Sequence, residues 1–121
     1  MKFLISIYGT DELWSSIPDD ERAALIAATD AHNTSLFESG EMLFACGTAN
    51  PDAYRLVTTE DGPTVVTEGP YAETKEYLGS FYIVDCEGID RAIEIAAGMP
   101  SSKMRRIEVV PILHGGSADD F

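Results

Sequence analysis

Apolar residues recur along the chain in two rhythms. From Phe3 to Tyr8 they alternate, with Phe3, Ile5 and Ile7 on one side and Leu4, Ser6 and Tyr8 on the other. That spacing predicts a central strand, ended by Gly9. Asp11 to Ser16 reads as a short helical turn, with Thr10 as its cap and Pro18 closing it. Asp19 or Asp20 is then expected to cap a long helix reaching about Ser39, since acidic residues suit its positive end. Leu25, Ala28, His32 and Leu36 fall near helical spacing and predict its buried stripe, and Gly40 is a well-placed stop.

Glu41 to Gly47 reads as a second strand, and Asn50-Pro51-Asp52 as a turn. Tyr54–Thr59 and Thr64–Thr67 predict a hairpin around Glu60-Asp61-Gly62-Pro63. Gly69 and Pro70 mark another turn, where glycine supplies positive φ and proline a fixed φ. Leu78 to Cys86, rich in aromatic and β-branched residues, is the clearest strand of the chain. Ile89 to Gly98 predicts a helix with Ile89, Ala92, Ile93, Ala96 and Ala97 inward and Asp90 and Glu94 outward. Arg105–Ile112 is the last strand, placed by Pro111 at an edge or an end. The Gly- and Asp-rich residues 114–121 read as a frayed acidic tail after a single domain over residues 1–113.

Without the hairpin the order is βαββαβ. This is an α+β, ferredoxin-like arrangement: an antiparallel sheet with both helices on one face and a β-hairpin inserted. The first strand and Leu78–Asp85 are then central neighbours. Phe3, Ile5, Ile7, Phe81 and Ile83 are expected to meet the helices. Leu4, Ser6, Tyr8, Leu78, Ser80, Tyr82 and Val84 are expected on the opposite face. A partly apolar open face of that size predicts a homodimer with two sheets packed face to face and a cavity between them.

Charge narrows the range of partners. The 121 residues carry 21 acidic and 8 basic side chains, a net charge of −13, which argues against nucleic acid and anionic membranes. Only Lys103, Arg105 and Arg106 cluster. No run of 18 apolar residues exists to span a membrane, and the short apolar start after Met1-Lys2 does not resemble a signal peptide, so a cytoplasmic location is expected. Cys46 and Cys86 show no CxxC spacing and read as reduced, buried thiols.

Candidate chemistry gathers around the charged run. Glu73 and Lys75 offer a carboxylate base and a cation to steady an oxyanion, or else a structural ion pair with Glu68. His32 could serve as a base, although its place in the helix stripe favours a satisfied buried histidine. Tyr8 and Tyr82, with Ser6, Ser80 and Glu68 as further ligand-binding candidates, could line a cleft; the tyrosines could instead simply pack at a dimer interface. Trp14 near Pro18 reads as a lid or core anchor. Neither serine has an evident His–Asp partner. Metal-ligand spacing, GxGxxG and Walker sequences are all lacking, so neither a metal nor a cofactor is expected.

The stretch Glu68-Gly69-Pro70-Tyr71-Ala72-Glu73-Thr74-Lys75-Glu76, followed by Leu78-Gly79-Ser80-Phe81-Tyr82, resembles the YCII-related proteins, in particular their DGPF subfamily. Met99-Pro100 and Glu108-Val109-Val110-Pro111 extend the likeness. The departures are Glu68 for the motif Asp, Tyr71 for Phe, Ser80 for the second Gly and Val110 for an Arg. The resemblance implies a ferredoxin-like fold and a dimeric α/β barrel. It implies little about activity, although some wider relatives look like lyases with a His–Asp pair. The function expected is a small-ligand-binding or regulatory dimer. The alternative is a cofactor-free lyase or isomerase acting on a small organic acid.

Overall fold

The computed structural model describes residues 1–69 and 76–121, the side chain of Asp11 excepted. In chain order these form β1 (Lys2–Gly9), α1 (Asp11–Ser15), α2 (Asp19–Ser39), β2 (Met42–Gly47), β3 (Arg55–Thr58), β4 (Val65–Glu68), β5 (Tyr77–Asp85), α3 (Ile89–Ala97) and β6 (Arg106–Pro111). Short 3-10 turns occupy Pro51–Ala53 and Ala118–Asp120. Four strands make one antiparallel sheet in the order β2-β5-β1-β6, which is the ferredoxin-like order, and β3 and β4 pair separately as a hairpin. Pro111 ends the edge strand β6, where a missing N–H disrupts no inner ladder.

The inner face of β1 is as the alternation predicts: Phe3, Ile5 and Ile7 are buried. The face of β5 is the reverse of the expectation. Phe3 lies opposite Val84, Ile5 opposite Tyr82 and Ile7 opposite Ser80. Cross-strand partners share a face, so Ser80, Tyr82 and Val84 point toward the helices. Phe81 and Ile83 point away with Leu4 and Ser6. Both faces of β5 are apolar enough to be inner, and a slip of one residue exchanges them, so period alone could not decide.

The helices show similar corrections. On α3 the buried stripe is Ala92, Ile95 and Ala96, continued by Met99 just past its end, while Ile89, Ile93 and Ala97, expected inward, are exposed. On α2 only Leu36 is fully buried. Ala28, expected inside, is exposed, and the half-buried positions are Arg22, Leu25, Thr29, His32 and Asn33. Pro18, rather than Asp19 or Asp20, occupies the cap position, and the acids sit in the first turn. Thr10 does cap α1, its hydroxyl accepting from the Leu13 N–H at 3.1 Å. Gly40 ends α2 at φ 82°, the left-handed region that favours glycine. Gly69 has no positive φ. A Cβ there would press into the Pro51 carbonyl oxygen, so close approach is what demands glycine.

The core therefore lies under α3 and the C-terminal end of α2, which contributes Leu36 beside Met42, Val84 and Ile95. Residues 114–121, expected to fray, carry a turn closed by a capping box between Ser117 and Asp120. His114 meets the Phe121 ring edge-on, with centroids 6.4 Å apart. Cys46 and Cys86 are free thiols. Among the described residues no helix is long and apolar enough to cross a membrane.

Candidate functional site

A helix normally lays an apolar stripe flat on its sheet. The N-terminal half of α2 instead turns a largely polar stripe toward β1, β5 and β2, and a cavity of about 420 Å³ lies between them. Ile7, Trp14, Leu25, Ala45 and Tyr82 form apolar wall. Thr29, Asp30, Asn33, Ser80, Ser101 and Arg105 supply the polar groups. The floor is fixed where β2 runs out beside the start of β5. There the Thr48 N–H donates to the Gly79 carbonyl at 2.9 Å and the Thr48 hydroxyl donates to the Leu78 carbonyl at 2.7 Å.

Arg105 closes one end. Its guanidinium occupies the space that a Cβ on Gly9 would need, and it rests over the Trp14 ring at 5.6 Å. Arg22 lies 5.7 Å from the same ring, so the indole interacts with two cations. Arg22 is itself held by the Ile17 carbonyl at 2.8 Å. On the opposite wall the Thr29 hydroxyl donates to the Leu25 carbonyl at 2.8 Å, which leaves its oxygen free to accept. The Asn33 Oδ1 is buried and has no hydrogen-bond partner.

Of the residues singled out from sequence, the cavity brings together Ser80, Tyr82 and Trp14. His32 is not in its wall; the imidazole packs beside Gly98 at the end of α3, with Nε2 buried and unpartnered. Glu68 is on the exposed hairpin, 3.9 Å from Arg55. Glu73 and Lys75 lie outside the described residues. Among the described residues no group of three or more His, Cys, Asp or Glu side chains could hold a metal. Sequence reasoning passed over Arg105, Thr29, Asn33 and Ala45. The readable signal was the polar spacing of Thr29 and Asn33, four apart on the same helix face as Leu25.

Ser6 and Tyr8 belong to a different cluster, on the open face of the sheet. The Glu108 carboxylate beside Tyr8 is the chief reason its phenol is raised above the ordinary value, since hydrogen bonding to a carboxylate favours the protonated form. Arg106 stacks over the Tyr8 ring at 4.3 Å, donates to Glu76 at 2.9 Å and reaches Glu108 at 3.4 Å. Its guanidinium pKa is raised, mainly by the hydrogen bond to Glu76. These charges satisfy one another. The other half of the face is apolar: Phe44 stacks on Phe81 at 5.8 Å, and Leu43 and Val110 stand exposed. Lys2, Leu43, Phe44, Ile83 and the tail from Ile112 to Asp120 border a second hollow of about 620 Å³ at this edge.

Comparison with known proteins agrees with this architecture. An uncharacterised protein of Rhizobium meliloti (strain 1021) is 26% identical over 102 residues, covering 84% of this chain and 82% of the relative. Among solved structures, 5-chloro-2-hydroxyhydroquinone dehydrochlorinase from Burkholderia phenoliruptrix AC1100, in complex with 2,5-dihydroxybenzoquinone, superposes with a TM-score of 0.55. It has 19% identity and covers 95% of this chain and 96% of the other, a likeness of fold. The YCII-related domain model matches residues 1–114, and the chain belongs to the YCII-related family.

Proposed function

We propose that the protein is a small-molecule-binding module whose ligand enters the cavity between α2 and the sheet. The observation that carries this is the standing-off of α2. A 21-residue helix, about 31 Å long at 1.5 Å per residue, buries only Leu36 completely. The space it leaves has the size and the apolar walls with few polar groups that small ligands use. The lyase or isomerase alternative needs a base beside the ligand; His32 is not in the cavity wall, where Asp30 is the carboxylate among the described residues. The proposal therefore rests on binding. Two copies pairing through the open face, where Leu43, Phe44 and Val110 are exposed, complete the reading.

The test is a thermal-shift screen of single-ring organic compounds on wild-type protein and Ala45→Phe. Ala45 sits opposite Tyr82 on the helix side of β2, so the added ring fills the cavity. Saturable stabilisation that Ala45→Phe abolishes, with its own fold intact, supports the reading. Equal stabilisation of both proteins places binding elsewhere and overturns it.

A further inference from the structure

We infer, building on the binding reading above, that the cavity takes a small hydroxylated organic anion, with its charge on Arg105 and a hydroxyl on Asn33. The first observation is an imbalance among the arginines. With 21 acidic side chains in the sequence, carboxylates are plentiful. Arg22 reaches Asp19 at 3.5 Å, Arg55 reaches Glu68 at 3.9 Å, Arg91 reaches Glu41 at 2.7 Å and Arg106 reaches Glu76 at 2.9 Å. Arg105, the fifth arginine, has no carboxylate and no hydrogen bond among the described residues. It is also the one that lines the cavity. Gly9 makes room for its guanidinium and Trp14 supports it from one side, so the planar donor fork is positioned without being satisfied. An anionic oxygen pair is the partner that such a fork binds best.

The second observation is independent of the first. Asn33 lines the same cavity, and its side-chain Oδ1 is buried and without a donor. Buried acceptors are nearly always paired, and here a ligand hydroxyl supplies the missing proton. Asp30 adds a carboxylate to the wall, which disfavours a second negative charge on the ligand. Ile7, Leu25 and Tyr82 accept the apolar body between the two polar ends.

The probes are benzoate, phenol and the three monohydroxybenzoates, titrated by calorimetry and by fluorescence of Trp14, the single tryptophan. At least one hydroxybenzoate is expected to bind more tightly than either benzoate or phenol. Arg105→Met is expected to weaken the acids tenfold or more and leave phenol unchanged. Asn33→Leu is expected to weaken the same hydroxybenzoate and phenol but not benzoate. Should Arg105→Met fail to fold, Arg105→Lys with a salt titration replaces it, and benzoate affinity is then expected to fall as ionic strength rises. Phenol binding as tightly as every acid, or an Arg105 variant without effect on acids, overturns the anion assignment while the binding cavity stands. Absence of binding by any probe at millimolar concentration overturns both.

Discussion

Glu41 and Arg91 join the start of β2 to α3 across 50 residues of sequence, and removing the Glu41 charge measures how firmly the C-terminal end of α2 is anchored. The guanidinium donates through Nε to Oε2 and through Nη2 to Oε1, both at 2.7 Å, a bidentate fork; Nη1 reaches Glu94 at 3.2 Å. The side chains are 24% exposed for Glu41 and 37% for Arg91, between a surface pair and a buried one. Surface pairs contribute about 0–1 kcal/mol, and breaking a buried pair costs about 3–5 kcal/mol. With solvent reaching both partners, Glu41→Gln is expected to cost about 1.5 kcal/mol, a Tm lower by roughly 4–8 °C for a domain of this size. The hydrogen bond from Arg91 holds the Glu41 carboxyl below its usual range. A depressed carboxylate contributes stability above its unfolded pKa, and that contribution is lost as pH falls through the folded value. The gap between wild type and Glu41→Gln in urea denaturation is therefore expected to be full at pH 7 and to close on acidification below about pH 4. A gap unchanged by pH, or one that widens in acid, would refute the assignment of the anchor to this ion pair. So would a variant as stable as wild type at neutral pH.

Three further outcomes follow from the same packing. Ile95→Ala, in a side chain 2% exposed, is expected to cost about 2–4 kcal/mol by chemical denaturation, while Ile93→Ala, 51% exposed, costs less than about 0.5 kcal/mol; similar losses would mean the stripe of α3 is misassigned. Glu108→Gln is expected to lower the Tyr8 pKa toward the ordinary tyrosine value, read as an earlier tyrosinate absorbance change on raising pH and assigned by comparison with Tyr8→Phe. In the wild type the raised value makes the contribution of this phenol complete below the ordinary tyrosine pKa and lost as pH rises through the folded one. Phe44→Glu, at a ring 49% exposed on the open face, is expected to convert a dimer into a monomer in light scattering; a wild-type protein that is already monomeric removes that expectation.

The fold was legible because its signals were local. Alternation gave β1, Gly40 stopped α2, Thr10 capped α1 and Pro111 marked an edge. Each of these acts through the backbone of its own neighbourhood. The orientation of β5 was not local. It is set by register against β1, and Tyr82 is core because Ile5 lies opposite it rather than because of anything in its own flanks. The candidate site failed to show for a related reason. The most charged stretch, around Glu73 and Lys75, is a single run of sequence, whereas the cavity draws single residues from α2, β2, β5 and the segment before β6.

One sequence signal did point to the cavity, and it lies in what α2 lacks. A helix that is to cover a sheet closely needs an apolar inner stripe, and this one places Arg22, Thr29, His32 and Asn33 among its half-buried positions, with Leu36 alone fully buried. Desolvating those groups against Ile7 and Tyr82 would leave donors and acceptors unpaired, so flush packing is disfavoured along most of its length. The helix is fixed at its C-terminal end, by Leu36 in the core and by the Glu41–Arg91 fork just beyond Gly40. Its N-terminal half can then stand over a hollow. Two of those polar residues, Thr29 and Asn33, also line the gap, so the cavity and part of its means of recognition share one origin in sequence.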